Sequence, residues 1–306
     1  PATPSDHERQ VTAAPNVVAT FAPEYELTAV PSPTAVATVE PELPRTVSFD
    51  APELQGVREL SWRVALAVDG AEYRVGVVVL DLDRNVAYAG GADEAFVLAS
   101  VSKLAIALGL LRRAELDARE LSWGERDQLG LMLSESKNGP AVELWASLGA
   151  DAVSEALSWY GVSGFQMPPD EQWGDMAASA TDVATLLRLF VADGSPLRAE
   201  DRELVLSLLQ SVVAGQRWGV SAGVDISDEV GTVLAIKNGW YPDGESWLVN
   251  SAGAVAVAGE TNYVVVALSE GAPGFPEGVR GIEEIATTVN SALYGAELLV
   301  ARTEFM

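Results

Sequence analysis

The sequence predicts an α+β fold in which one sheet is built from both ends of the folded chain, with a helical lobe inserted between the two halves. Two patterns predict this arrangement: strand-like runs stand at both ends, and segments with a helical period fill the middle. The chain has 306 residues, of which 48% are hydrophobic, so it is long and apolar enough to bury a core.

The N-terminal part of the chain differs in composition from the rest. Its first 45 residues hold 8 of the 16 prolines, interleaved with alanine, threonine, valine and glutamate. Such a segment buries too little apolar surface to offset the entropy of ordering it. We therefore predict that residues 1–56 are a Pro- and Ala-rich disordered linker or stalk, although an ordinary flexible terminus fits equally well.

A folded domain is predicted over residues 57–298, and its sheet begins near residue 60. Strand patterns run over Trp62–Val68 and Tyr73–Asp83, and a turn then leads into a third strand at Val86–Tyr88. The first part of the sheet is therefore expected at about 60–98.

From residue 99 to about residue 229 the pattern becomes helical. The run KLAIALGLLRRAEL, which starts at Lys103, is apolar nearly all round, as in a helix that is buried on most faces. Further helices are predicted at Glu125–Ser134, Ala141–Leu148, Ala152–Tyr160, Thr181–Ala192 and Ala199–Val213.

Strand patterns return near residue 230 and complete the predicted sheet part, over about 230–298. They cover Thr232–Lys237, Trp247–Ala258 and Tyr263–Ser269, and a last helix follows at about Val279–Tyr294. Residues 299–306 are predicted to be a tail.

Composition excludes several kinds of chemistry. The chain has no cysteine and one histidine, His7, which removes cysteine nucleophiles, thiolate zinc sites, disulfides and Ser–His–Asp triads. The 19 basic and 44 acidic residues give a net charge of −25, which repels nucleic acids and anionic membrane surfaces. We predict no metal and no cofactor. Because cysteine is absent and the one histidine is His7, a nucleophile would be Ser or Thr, with Lys, Tyr or a carboxylate as its base.

The lysines carry the sharpest signal, because there are only three of them and each lies in a short motif. Ser100 and Lys103 form an S-x-x-K motif. Ser136 and Asn138, on either side of Lys137, form an S-x-N motif, and Lys237 and Gly239 form a K-x-G motif.

The S-x-x-K spacing has a mechanical reason. Ser100 falls where a strand enters a helix, and Lys103 follows one turn later on the same face. A neighbouring amine can deprotonate a serine if burial and a second cation, here Lys237, lower the pKa of that amine. A plain helix N-cap is the simpler explanation of Ser100 alone, but it leaves a lysine in an apolar run unexplained.

The three motifs in this order resemble those of the class A β-lactamase-like serine hydrolases, which share a fold with the penicillin-binding DD-peptidases. The matching stretches read FVLASVSKLAIALGLL, LMLSESKNGPAVELW and AIKNGWYPDGESWLVNSAGAV; QRWGVSAGV and KNGW resemble segments of exported actinobacterial relatives. The resemblance covers about Leu60 to Tyr294. It implies a β-lactamase/transpeptidase-like fold, with an antiparallel sheet flanked by helices and an inserted all-α lobe.

The resemblance also implies catalytic roles. Ser100 would be the acylated nucleophile, and Lys103 would be its general base, directly or through water. Ser136 would relay a proton to the leaving nitrogen with electrostatic help from Lys237. Asn138 would hold Lys103 and the substrate amide.

Substrate binding is implied in the same way. Lys237 would attract the substrate carboxylate, and Asn238, Gly239 and Trp240 would line the bound substrate along the K-x-G strand. The backbone N–H groups of Ser100 and Trp240 would form the oxyanion hole.

The sequence departs from the class A pattern at three places. Lys137 stands where class A enzymes have Asp, and Asn238 stands where Thr or Ser usually donates a hydroxyl to the substrate carboxylate. The following loop lacks the E-x-x-L-N pattern, and the position of the glutamate that activates the deacylating water falls near Gln166. Asp170 and Glu171 are candidate substitutes for that base, although solvated loop carboxylates are the commoner explanation.

Three functions remain open at this stage. They are a β-lactamase that acylates and deacylates, a DD-peptidase-like or esterase-like serine hydrolase that releases β-lactams slowly, and a non-catalytic cell-wall-associated binding module. We expect an acyl-enzyme at Ser100 with slow deacylation, because the S-x-x-K is intact and the usual glutamate is missing. The expected partner is a small-molecule β-lactam or a peptidoglycan-peptide-like substrate. A monomer is expected, exported or tethered at the cell surface, with its signal segment absent from this chain.

Overall fold

Six strands form one sheet that draws on both ends of the folded chain, which confirms the predicted α+β class. The computed structural model describes residues 45–46, 55–82, 86–168, 172–224, 231–257 and 260–304. The sheet strands are β1 (Arg45–Thr46), β2 (Arg74–Asp81), β3 (Val86–Gly90), β6 (Val233–Asp243), β7 (Ser246–Val257) and β8 (Glu260–Ala272).

The strand order places the K-x-G motif at one edge of the sheet. The order is β1-β3-β2-β8-β7-β6, and all neighbours are antiparallel except the short parallel pair of β1 and β3. Strand β6, which carries Lys237, is therefore an edge strand, and its free side faces the inserted helical lobe.

The inserted helical lobe is also present. Two short strands, β4 (Ala95–Val97) and β5 (Ala177–Ser179), pair with each other beside the main sheet. The helices between β4 and β6 are α2 (Lys103–Leu116), α3 (Trp123–Ser134), α4 (Asn138–Trp159), α5 (Ala180–Val191) and α6 (Ala199–Gln210).

Apolar residues on alternate sides of the strands build a core on each face of the sheet. On β2, Val77 and Val79 pack with α1 (Gln55–Asp69) and α7 (Phe275–Glu304), whereas Val78 and Leu80 pack with the helical lobe. Helix α2 is buried almost all round, as its apolar run predicts. None of the helices in the described ranges is both long and apolar enough to cross a membrane.

The predicted first strand, Trp62–Val68, is wrong, because these residues lie in helix α1. Leu60 and Val64, four residues apart, are buried against the sheet, while Leu66 is 54% exposed. The alternation of apolar residues that suggested a strand is therefore one stripe of a helix, and the sheet packing decides which period applies.

Several element boundaries differ from the predicted ones. Strand β1 and the start of α1 lie within the range predicted as linker, and α7 extends into the predicted tail. The two helices predicted from Ala141 to Tyr160 are joined in α4, which has a non-helical backbone at Gly149 (φ 77°). Strand β6 continues six residues beyond the predicted end, Lys237.

Candidate active site

Ser100 lies in a tight turn between strand β4 and helix α2. The turn is a 3-10 segment, Ala99–Ser102, and Lys103 begins α2 directly after it. Ala99 has a positive φ of 49°, which is uncommon for a residue with a side chain and tends to occur at functional sites. The turn thus presents Ser100, which is partly exposed, at the start of a buried helix.

Three hydrogen bonds fix the strand that leads into this turn. The Asn250 amide donates to the Val97 carbonyl at 2.8 Å, and the Val97 N–H donates to Glu270 Oε1 at 2.7 Å. The Leu98 N–H donates to the Met176 carbonyl at 2.9 Å. The position of Ser100 therefore depends on the main sheet and on Met176, which directly precedes strand β5.

Lys103 is completely buried, and its amine contacts residues of two motifs. Its Nζ donates to Ser100 Oγ at 3.0 Å, to the Ser136 carbonyl at 2.6 Å and to Asn138 Oδ1 at 2.9 Å. Burial lowers the pKa of Lys103 to about 7, because the charged ammonium loses its hydration there. An amine with that pKa is about half neutral at pH 7, which suits a general base for Ser100.

Ser136 lies in the loop between α3 and α4, where two lysines share its hydroxyl. Lys237 Nζ donates to Ser136 Oγ at 2.7 Å, and Lys103 Nζ lies 3.4 Å from the same oxygen. Ser136 has a positive φ of 57°, so its backbone, like that of Ala99, is held in a sparsely populated conformation. The three lysine motifs therefore meet around one hydroxyl.

Lys237 is 2% exposed, and its partners within the described ranges are two oxygens that carry no charge. Besides Ser136 Oγ, its Nζ donates to the Asn238 carbonyl at 2.9 Å. Burial, and secondarily the charge of Lys103, holds the pKa of Lys237 well below its usual value. None of the carboxylates in the described part of the chain hydrogen-bonds to either buried lysine. A bound anion would place a negative charge beside both lysines and raise both pKa values.

Gly239 lets strand β6 pass directly against the nucleophile turn. A Cβ at this position would lie 2.6 Å from the Leu98 carbonyl oxygen and 2.8 Å from the backbone nitrogens of Ser100 and Val101. Only glycine permits this approach. The next residue, Trp240, is therefore close to the turn, and the pairing of its N–H with that of Ser100 as an oxyanion hole remains a prediction.

Asn238 does not point into the cluster. Both hydrogens of its amide are used, in bonds to the carbonyls of Gln216 at 2.8 Å and Trp218 at 3.1 Å. Its oxygen accepts from Ser251 Oγ at 2.6 Å, and the residue is 1% exposed. These bonds fasten the 216–218 segment to the sheet and engage the whole amide within the protein, and a place for Asn238 along the bound substrate stays a prediction.

Lys137, the middle residue of the S-x-N motif, points outward. Its side chain is 52% exposed and pairs with Glu135 at 2.9 Å. It takes no part in the lysine cluster, and an exposed pair of this kind contributes little stability.

The loop that precedes β5 brings an aromatic ring, rather than a described carboxylate, to Lys103. The ring of Trp173 covers Lys103 Nζ, with 4.9 Å between the nitrogen and the ring centroid. Gln166 is exposed, and its backbone pairs with that of Ala177. Asp170 and Glu171, the predicted substitute bases, lie outside the described residues.

Two features of the site could not be recognised from the motifs. Asn250 and Glu270 hold β4 from distant strands, and Tyr241 OH donates to Asp175 Oδ1 at 3.2 Å. Asn250, within a largely apolar strand, is a usable signal, because a buried amide must find partners. Tyr241 has no such signal. Within the described ranges, no three His, Cys, Asp or Glu side chains group as a metal site.

The comparisons with known proteins agree with this architecture. A family model described as "Beta-lactamase enzyme family" matches residues 117–293, a range that begins after Ser100 and Lys103. A Mycobacterium tuberculosis protein that carries the name "Putative lipoprotein LppW" is 30% identical over 223 residues, which cover 69% of this chain and 68% of that protein. The same values hold for the Mycobacterium bovis protein of that name.

Solved structures share the fold at lower sequence identity. PBP-A superposes with a TM-score of 0.65 and 19% identity, covering 78% of this chain and 96% of that one. A variant of PBP-A, solved as its acyl-enzyme complex with penicillin G, gives the same TM-score. A class A β-lactamase from Mycobacterium abscessus gives 0.64 and 20% identity, covering 76% of this chain and 98% of that one. With the family match, these findings support hydrolase activity in general terms, and the chain belongs to the β-lactamase enzyme family.

Proposed function

We propose that this protein is a serine hydrolase that forms an acyl-enzyme at Ser100 with β-lactams or related amides and esters. The observation that carries the proposal is the 3.0 Å hydrogen bond between Lys103 Nζ and Ser100 Oγ, made by a buried amine with a pKa of about 7. In its neutral form this amine accepts the serine proton while the oxygen attacks the carbonyl carbon of the substrate.

The neighbouring residues complete the acylation step. In this proposal Ser136 Oγ, which accepts a hydrogen bond from Lys237, passes its proton to the leaving nitrogen and takes a new proton from a lysine. Lys237 supplies positive charge for a substrate carboxylate, whose arrival restores the protonated form of the lysine. The developing oxyanion is stabilised by backbone N–H groups at the turn, of which Ser100 and Trp240 are the candidates.

Slow deacylation is the second part of the proposal. Release of the acyl group needs a base that activates a water, and such assistance is typically worth about 10²–10⁴-fold in rate. The loop places the Trp173 ring beside Lys103, and no described carboxylate contacts the lysine pair. Among the described residues, Lys103 is then the candidate base for release.

Substrate and location follow from the relatives as proposals. The acyl-enzyme complex of a PBP-A variant with penicillin G shows that this fold accommodates a penicillin-derived acyl group in that protein. We extend this to β-lactams and peptidoglycan-peptide-like amides here. The lipoprotein name of the mycobacterial relatives favours an exported or surface-tethered location for this protein too.

Intact-mass spectrometry of the protein mixed with penicillin G tests the proposal. We expect one adduct per protein molecule, heavier than the free protein by the mass of intact penicillin G. This adduct should last much longer than one turnover of a typical β-lactamase. An adduct that forms and disappears within the first seconds would indicate a β-lactamase with full turnover. No adduct with penicillins, cephalosporins or acyl-D-Ala-D-Ala peptides would favour a non-catalytic binding module.

A further inference from the structure

The amine of Lys103 belongs to a side chain with no exposed surface. Three oxygens accept its hydrogen bonds, from Ser100, Ser136 and Asn138, and the Trp173 ring lies over the nitrogen with 4.9 Å to the ring centroid. Together with Cε, the three oxygens take the four tetrahedral directions of the ammonium, and the ring adds an apolar cover that a water would have to displace to reach it.

The segment that carries Trp173 is closed by a turn hydrogen bond and is held to the fold at its downstream end. The Asp175 N–H donates to the Gln172 carbonyl at 2.8 Å, and Asp175 Oδ1 accepts from Tyr241 OH at 3.2 Å. Burial and the adjacent Asp175 raise the pKa of Tyr241 to about 12, so the phenol keeps its proton and continues to donate. Downstream, Met176 is buried and bonds to the strand that enters the nucleophile turn.

We propose that Trp173 is the cover that keeps water away from the Ser100–Lys103 pair and so sets the lifetime of an acyl group on Ser100, while Tyr241 is a positioning residue that holds this cover through Asp175. The inference rests on the proposed acylation of Ser100. Trp173 then does two things at once: it desolvates Lys103, which favours the neutral base needed for acylation, and it blocks the water needed for release.

The blocked step is hydrolysis of the ester. A water must add to the carbonyl carbon, the bond from that carbon to Ser100 Oγ must break, and one proton of the water must return to that oxygen. The product leaves as a carboxylic acid. Lys103 can move the proton only if the water reaches its amine, and the Trp173 ring covers that amine.

The test compares four variants with the wild type by intact mass after removal of excess penicillin G. Trp173→Ala opens the cover, Trp173→Phe keeps an apolar ring, and Tyr241→Phe removes only the hydroxyl that bonds to Asp175. Trp123→Ala is the matched control, because this tryptophan is 82% exposed in helix α3. We expect Trp173→Ala to shorten the adduct lifetime about tenfold or more, and Tyr241→Phe to shorten it about threefold, as water gains access to the base. Trp173→Phe and the control should stay close to the wild type.

Two further readouts separate shielding from a merely structural role. Tyr241→Phe should have no added effect in the Trp173→Ala background, because it acts through the ring. Acetylation by acetic anhydride at pH 9, followed by peptide mapping, measures access to Lys103 against exposed Lys137 as internal reference. The Lys103-to-Lys137 labelling ratio should rise in Trp173→Ala and return in Trp173→Phe.

The outcomes distinguish the two proposals. An adduct whose lifetime is unchanged or longer in Trp173→Ala would refute the shielding role while leaving acylation intact. If the wild type forms no adduct, acylation is refuted, and the labelling ratio alone decides whether Trp173 covers Lys103. Should Trp173→Ala fail to fold, the lifetime and labelling ratio of Tyr241→Phe decide in its place, and unchanged values would refute the inference.

Discussion

Replacing Lys103 by arginine changes the one property on which the proposed chemistry depends, the ability to become neutral at working pH. A guanidinium keeps its proton in proteins, so it offers positive charge and hydrogen bonds but no base. The loss of general-base assistance should slow acylation of Ser100 about 10²–10⁴-fold.

The pH dependence of the wild type follows from the same pKa. An amine with a pKa of about 7 is neutral to about 9% at pH 6, about 50% at pH 7 and about 91% at pH 8. Acylation requires the neutral form, so its second-order rate constant, which reports the pKa of the unliganded protein, should rise about tenfold from pH 6 to pH 8 and then level off. The residual rate of the arginine variant should not show this rise.

Quenched-flow acylation with penicillin G below saturation, read by intact mass between pH 5.5 and 9.5, measures both effects. Circular dichroism at each pH confirms that the variant and the wild type remain folded. A wild-type rate that continues to climb through pH 9 would mean that Lys103 titrates like an exposed lysine, and the base assignment would fail. An arginine variant that acylates at the wild-type rate would refute it as well.

Four further changes test other parts of the reasoning. Ser100→Ala should abolish labelling by penicillin and by a fluorophosphonate probe while leaving the circular dichroism spectrum unchanged; retained labelling would place the nucleophile elsewhere. Lys237→Arg should keep more acylation than Lys103→Arg, because an anion anchor can be a guanidinium, and equal losses would contradict the two separate roles. Lys103→Met should raise the free energy of unfolding at pH 7 by about 1–3 kcal/mol, since it removes a buried amine that is more easily protonated in the unfolded chain. This gain should shrink towards pH 10, because the lowered folded pKa makes the wild type more stable as pH rises from 7; a gain that is constant with pH, measured by urea titration, would refute the linkage. Gly239→Ala should reduce acylation at least about tenfold and cost about 1–3 kcal/mol of stability, because its Cβ would meet backbone atoms of the nucleophile turn; unchanged kinetics would show that β6 can move aside.

Motifs whose members act over one helical turn were predictable from the sequence. Ser100 and Lys103 are three residues apart across a strand-to-helix junction, so local geometry alone places them side by side. The order of three lysine motifs then indicated the family. Neither step required knowledge of distant contacts.

Features that depend on which face is buried were harder to predict. The run Trp62–Val68 alternates like a strand, yet it forms a helix because Leu60 and Val64 pack on the sheet. Asn238 was expected to face the substrate, but both hydrogens of its amide bond to the carbonyls of Gln216 and Trp218. In both cases the deciding partner lies on another element of the fold.

The sequence by itself determined the class of chemistry. The lack of cysteine, a single histidine and three lysines in S-x-x-K, S-x-N and K-x-G motifs leave a serine and an amine as the natural nucleophile and base. Only the tertiary structure decided how that amine is tuned. Burial lowers the pKa of Lys103, and the ring that covers its amine belongs to Trp173, about 70 residues further along the chain. Desolvation is therefore a property of the packed site rather than of any local run of residues.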